Sequence, residues 1–193
     1  MILFEKMHTI EPFYRWLDYY NPAEDDQSPF FGKEYNYELY SENIYGYYID
    51  PAWDYMGSET LYMKVLYADY ELGYTILEFI GEWNDAINND VMHLKRNVID
   101  ELAIAGIDKY ILIGENVLNF HGSDDSYYEE WFEEAEWIST MGFQEHVLSE
   151  FPKYNIDSYL NFGGGLEFPN WRTMRPTSLF ENVSNVISKR ISI

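Results

Sequence analysis

Apolar and polar positions change their period several times along this chain, and each change predicts an element. Residues 60–83, "TLYMKVLYADYELGYTILEFIGEW", hold two apolar, β-prone runs separated by a turn at Glu71 to Gly73, which predicts an antiparallel pair. In "INNDVMHLKRNVIDELAIAGI", Val91, Leu94, Val98, Leu102 and Ala105 recur at helical spacing. Asn89 or Asp90 can cap that helix, and Gly106 followed by Ile107 can stop it: glycine tolerates the left-handed conformation, and the isoleucine folds back on the last turn. "KYILIG" then reads as a strand buried on both faces, because Tyr110 to Ile113 have no polar interruption. Strand, helix and strand in this order imply a right-handed parallel crossover, with both strand ends at one edge of the sheet.

Ser126 with Glu129 three residues later is a capping-box pattern, and Tyr127, Trp131, Ala135 and Ile138 continue it as a stripe, predicting a helix over residues 126–141. "FQEHVLSEF" and "IDSYLNF" predict further strands. "RPTSLFENVSNVISKRI" predicts a terminal helix with Ser178 and Glu181 as a second capping box and Leu179, Val183, Val186 and Ile187 as its apolar face. The first part of the chain is less regular. "IEPFYRWLDYY" predicts a short helix with Pro12 near its first turn, "NPAEDDQSPFFG" a loop, and "EYNYELY" and "IYGYYI" edge strands. The sequence therefore predicts an α/β protein: a mixed sheet with a β-hairpin followed by βαβα units, helices packed on the sheet. We expect one domain over 1–193, with a Tyr-rich acidic part at 1–58, an α/β core at 59–162 and a basic helical tail at 166–193, which should dock on the acidic body or on a neighbouring subunit.

Composition narrows the function classes. With 193 residues, 47% hydrophobic and 19% aromatic, the chain can bury a core unaided. Its formal charge of −22, from 34 acids and 12 bases, opposes nucleic acid and anionic membranes as partners and admits a basic protein surface. The absence of cysteine excludes disulfides, thiolate zinc sites and cysteine nucleophiles. With no basic leader and no long apolar stretch, the expected location is the cytoplasm.

The crossover crowds Glu82, Asp85, Glu115, Asn116, Asn119, His121, Asp124 and Asp125 at one sheet edge, where ligands of open α/β sheets collect. Glu82, Glu115 and His121 are the candidates for acid–base chemistry: two carboxylates and an imidazole could divide the roles of proton donor and acceptor. Asp124, Asp125 and Ser126 equally suit a helix start. No calcium-hand pattern, phosphate loop or G-x-S-x-G is present, "HGSDD" matches no metal-ligand spacing, and no cofactor is expected. In "SYYEEWFEEAEW", Glu129 with Glu133 and Glu130 with Glu134 are like charges at i,i+4, each pair costing about 0.2–0.5 kcal/mol. Such a face can serve a basic partner. On that reading Asp85, Asn116, Asp124, Asp125, Glu130, Glu133 and Glu134 form the binding surface, and lysines at 130, 133 and 134 would stabilise the helix if no partner exists. "YGYYIDPAWDY" is the aromatic group expected to be most exposed.

From residue 61 to about 150, the order of hairpin, "GEWND", helix and "GIDKYILIGENVLNFHGSDDSYYEEW" resembles the STAS domains of anti-sigma-factor antagonists. The resemblance implies a bacterial α/β regulatory module that acts by binding another protein, with Ser123 or Ser126 at the position of a phosphorylated loop serine. The chain departs from that family at Asp124 and Asp125 and in its bulky acidic helix. In composition alone it resembles bacterial immunity proteins, which imply an inhibitor that covers the cationic surface of a toxin. Three functions follow as expectations: a non-enzymatic acidic interaction or regulatory module, an immunity-type inhibitor, and a hydrolase using strand-end carboxylates.

Overall fold

The computed structural model describes residues 10–42 and 48–192. A two-stranded ribbon, β1 (Ser41–Glu42) and β2 (Tyr48–Ile49), precedes the main sheet. The main sheet has five strands in chain order: β3 (Asp54–Tyr55), β4 (Leu61–Asp69), β5 (Tyr74–Asn84), β6 (Lys109–His121) and β7 (Trp137–Met141). The first three strands pair antiparallel and the last three parallel, so the fold is α/β with a mixed sheet.

The crossover from β5 to β6 runs through α1 (Asp85–Asn88), α2 (Asp90–Leu94), a wider π-helical turn at Lys95–Ile99 and α3 (Asp100–Ile104). It ends as Gly106 and Ile107 predict: Gly106 has φ 101°, its N–H bonds Ala103 O at 3.0 Å, and Ile107 N–H reaches back to Leu102 O at 3.0 Å. The second crossover is α4 (Ser126–Glu134). Two right-handed crossovers stepping the same way lie on one face of the sheet. There Val91, Leu94, Val98, Leu102, Tyr128 and Trp131 join Leu77, Phe79 and Leu112 in the larger core. The opposite face (Tyr74, Ile76, Ile111, Ile113) is covered by the N-terminal segment through Trp16, by Trp171, and by α6 (Pro176–Ile191) through Leu179, Val183 and Ile187. The C-terminal tail docks mainly by this apolar stripe.

Several local expectations give way. "FQEHVLSEF" and "IDSYLNF" form α5 (Glu145–Leu148) and the 3-10 turns Phe151–Tyr154 and Ile156–Ser158; only Asn161 bridges to the sheet, opposite Ser139. "IEPFYRWLDYY" and "EYNYELY" are turns and irregular chain, whereas the described end of "IYGYYI", Tyr48–Ile49, is the strand β2 and the rest of it lies outside the described residues. The helix expected over 126–141 ends at Glu134, and Ile138 belongs to β7. A buried five-residue strand and the next turn of an amphipathic helix put apolar residues at overlapping positions, so the stripe ran on into "WISTM". Neither capping box forms. Ser126 is the first residue of its helix, with Asp125 at the cap position and no side-chain bond there. The last helix starts early, at Pro176, whose fixed φ and missing N–H suit a first turn.

Candidate functional site

β6 is longer than "KYILIG" suggested. It continues through "ENVLNFH" because β5 extends beside it, Gly81 pairing Val117 and Asn84 pairing His121, with two register shifts on the way. Glu115 and Asn116 therefore sit in the middle of a strand, and Glu115 is four residues back from Asn119, which is the partner of Glu82. That is roughly 13 Å of strand at about 3.3 Å per residue. The strand-end carboxylates do not converge. Glu82 meets His121 at 3.0 Å and accepts from Asn84 Nδ2 at 3.1 Å, and Asn119 Nδ2 lies 3.2 Å from His121 Nε2.

Asp85 is buried and accepts from Tyr128 OH (2.6 Å), Val91 N (2.8 Å) and Trp83 Nε1 (3.1 Å). Burial, with Asp90 nearby, raises its carboxyl to about 6 despite these bonds. Asp90 Oδ2 accepts from Asn84 N at 2.7 Å. Both acids hold the turn after β5. A cleft of about 340 Å³ separates that turn from Ser123, Asp124 and Tyr127. Asp124 accepts from Ser126 N at 2.9 Å, and Asp125 accepts from Asn155 Nδ2 at 2.8 Å and Tyr159 OH at 3.0 Å, so both brace the loop before α4. Ser123 and Ser126 are exposed in it.

The acidic face of α4 is answered from within the chain. Lys95, in the π-helical turn and fully buried, pairs with Asp100, with Glu134 at 2.8 Å and with Glu130 at 3.5 Å; Arg96 grips Glu130 at 2.5 and 2.8 Å. Asp100, Glu130 and Glu134 bring their oxygens close enough to ligate a cation, but the Lys95 ammonium already sits among them. Lysine at 130 or 134 would break these pairs, so the stabilisation expected from reversing them does not follow from this geometry. Glu133 is exposed and carries no ion pair among the described residues.

The polar residues that do gather lie on the opposite face of the sheet. Asp54 on β3, Lys64 on β4, Glu78 on β5 and Glu115 on β6 follow one another across four strands. Lys64 is the register partner of Glu78, and Glu115 lies two residues beyond Ile113, its partner on the other side. Asp54 is fully buried between Lys33 (2.6 Å), Lys64 (3.3 Å) and Tyr35 OH (2.7 Å). Lys64 also donates to Tyr35 OH at 2.8 Å and Ala52 O at 3.0 Å; burial, aided by Lys33, lowers its ammonium below the ordinary lysine value. Glu115 accepts from Trp171 Nε1 at 2.8 Å and pairs with Arg172 at 2.6 Å. Glu78 is 1% exposed, and burial pushes its carboxyl up to about 7, although the Phe13 N–H donates to it at 2.8 Å and Arg172 is near.

A strap made of the first described residues covers this row. Trp53 Nε1 donates to Ile10 O at 2.8 Å, Phe13 N to Glu78, and Trp16 Nε1 to Met174 O at 3.0 Å. The Phe13, Trp16 and Trp171 rings pack edge to face at 4.8–5.5 Å. Trp53 is thus buried rather than displayed, whereas Tyr55 stays 49% exposed. Two cavities flank the strap: one of about 550 Å³, bordered by Tyr14, Tyr35, Tyr37, Tyr40, Lys33 and Lys64, and one of about 410 Å³, bordered by Glu78, Asn116, Arg15 and Arg172.

Of the predicted residues, only Glu115 and Asn116 adjoin this place. Lys64 and Glu78 were missed, although each is a charge set among apolar neighbours inside its strand, with the other charge, Asp69 or Glu82, near the strand's end. The register next to the turn would put Lys64 opposite Phe79, and the bulge between Val65 and Tyr67 moves it opposite Glu78. Comparison of the chain with models of known families found no match, and comparison with curated proteins found none. Among the described residues, no helix is long and apolar enough to cross a membrane.

Proposed function

We propose that this chain is a non-enzymatic interaction module that binds a basic protein surface, and that its binding face is the N-terminal segment rather than α4. One observation carries the reading. Residues 10–40 hold seven acids against two bases, and Glu11, Asp18, Glu24, Asp26, Glu34 and Glu38 are all exposed. Tyr14, Leu17, Tyr19, Phe31, Tyr37 and Leu39 are exposed between them. Aromatic anchors among like charges that have no carboxylate–cation pair among the described residues suit an interface, where tyrosine supplies the buried area and the acids select and steer a cationic partner. An inhibitor that covers the basic surface of a toxin and a regulatory module of STAS type are two forms this could take.

The experiment is affinity capture at low and high salt, comparing the wild type with a chain carrying Glu24→Lys, Asp26→Lys, Glu34→Lys and Glu38→Lys, and with Glu133→Lys as control. A basic partner should be retained by the wild type and the control, lost by the fourfold variant, and released as salt rises. A partner held equally by all three proteins would place the interface elsewhere and sink the proposal.

A further inference from the structure

We propose that the cavity of about 410 Å³ beneath the strap is a binding site for a small organic oxyanion, a carboxylate or a phosphate ester, held between Arg15 and Arg172. This goes beyond the docking face argued above and uses a different part of the molecule.

Bases are scarce in a chain of 34 acids and 12 bases, yet two arginines border this one cavity. Lys33, Lys64, Lys95, Arg96 and Lys109 are each paired with a carboxylate. Arg15 has no carboxylate within ion-pair distance among the described residues. Arg172 gives one nitrogen to Glu115, at 2.6 Å, and its cation stacks 4.5 Å over the Trp171 ring. A guanidinium has five donors in a planar fork, so that contact fixes Arg172 without exhausting it. Asn116 adds an amide, and Ile10, Pro12, Phe13 and Tyr14 supply the apolar wall a ligand body requires.

The remaining polar group is Glu78. Lys64 faces it from β4, Glu115 from β6, Arg172 from the turn at Trp171–Thr173, and Glu11, Arg15 and the Phe13 amide belong to the strap above. With its carboxyl raised to about 7, Glu78 is largely neutral in weakly acidic solution, where it can donate a hydrogen bond to an anion. Arg15 and Arg172 then share the cavity's border with one charged acid, Glu11, while Glu115 pairs with Arg172 from behind; ionisation of Glu78 adds a second acid at the border. Binding should weaken by up to about tenfold for each pH unit above 7.

The test is a titration of the full chain with benzoate, phenyl phosphate and neutral benzamide, followed by amide chemical shifts. Benzoate or phenyl phosphate at millimolar concentration should shift Phe13, Asn116 and Arg172 saturably, benzamide should not, and whichever anion binds better identifies the headgroup. Arg15→Gln, at an exposed position that leaves the fold intact, should weaken binding about tenfold or more, the size of a lost charge-assisted contact. Glu78→Gln should keep binding and abolish its pH dependence. No saturable shift with either anion, equal binding of benzamide, or full affinity in Arg15→Gln would overturn the proposal.

Discussion

Glu78 makes a sharp prediction about stability. Its carboxyl is raised from an ordinary 4.5 to about 7, chiefly by burial. Below pH 4.5 the group is protonated in folded and unfolded chains alike and contributes nothing to the pH dependence. Between 4.5 and about 7 the folded chain holds a proton that the unfolded chain has released, so stability falls as pH rises; above 7 the full cost is present. At about 1.4 kcal/mol per pH unit, the interval amounts to about 3 kcal/mol. Glu78→Gln resembles the protonated form and keeps an acceptor for the Phe13 N–H. It should match the wild type at pH 4.5 and exceed it by up to about 3 kcal/mol at pH 8, or roughly 6–12 °C in Tm for a chain of this size. Urea unfolding followed by tryptophan fluorescence at both pH values measures this, and the charges common to both proteins cancel in the difference. A difference independent of pH, or a variant less stable at pH 8, would refute the reasoning. Either result would mean that Lys64 and Arg172 compensate an ionised Glu78 in full.

Two other substitutions test the scaffold. Lys95→Met keeps the aliphatic stem and removes the ammonium among Asp100, Glu130 and Glu134; because those acids are partly exposed, the loss in urea unfolding should be about 1–3 kcal/mol at pH 7, and it should shrink in acid as pH falls through the carboxyls of Asp100 and Glu130, which the cations hold below their ordinary values. Gly81→Ala would bring a Cβ to 2.1 Å from Thr60 O at φ +117°, and should cost about 3 kcal/mol or more by thermal unfolding; an unchanged Tm would mean that the two backbones are not so close.

The elements legible in the sequence are those whose apolar period is carried by many residues or ended by a specific backbone device. The crossover helix had five apolar positions and the Gly106 stop. The hairpin had two long runs and a turn. β6 was cut short because Glu115, Asn116 and Asn119 look like loop residues, while what makes them a strand is β5 alongside, a non-local cause. The strand-end site was inferred from a rule that holds where crossovers leave the sheet on opposite faces and open a crevice. Here both crossovers pack on one face, and the cleft left between the loops after β5 and β6 takes in Asp85 and Asp124 but not Glu82, Glu115 or His121. The polar row formed instead on the face left to the chain's two ends. Its covering strap is irregular backbone and has no periodic signature, although Lys64 and Glu78, each a charge among apolar strand neighbours, did mark the place.

Charge is also distributed in a way that the net value of −22 conceals. On the helical side Lys95 and Arg96 answer the acids of α4, while on the N-terminal segment Glu11, Asp18, Glu24 and Asp26 are exposed and have no ion pair among the described residues. Directly beneath lies a cavity bordered by two arginines. A basic protein approaching the strap is attracted over its whole path, so added salt slows its association and weakens the complex. A small anion is repelled by the same field until it reaches the arginines, so moderate salt should speed its entry. Ionic strength therefore acts with opposite sign on the two association rates. If both rates fell with salt, the anion would be approaching through a positive field before it reached the arginines, and the strap could not be the negative face that a basic partner requires.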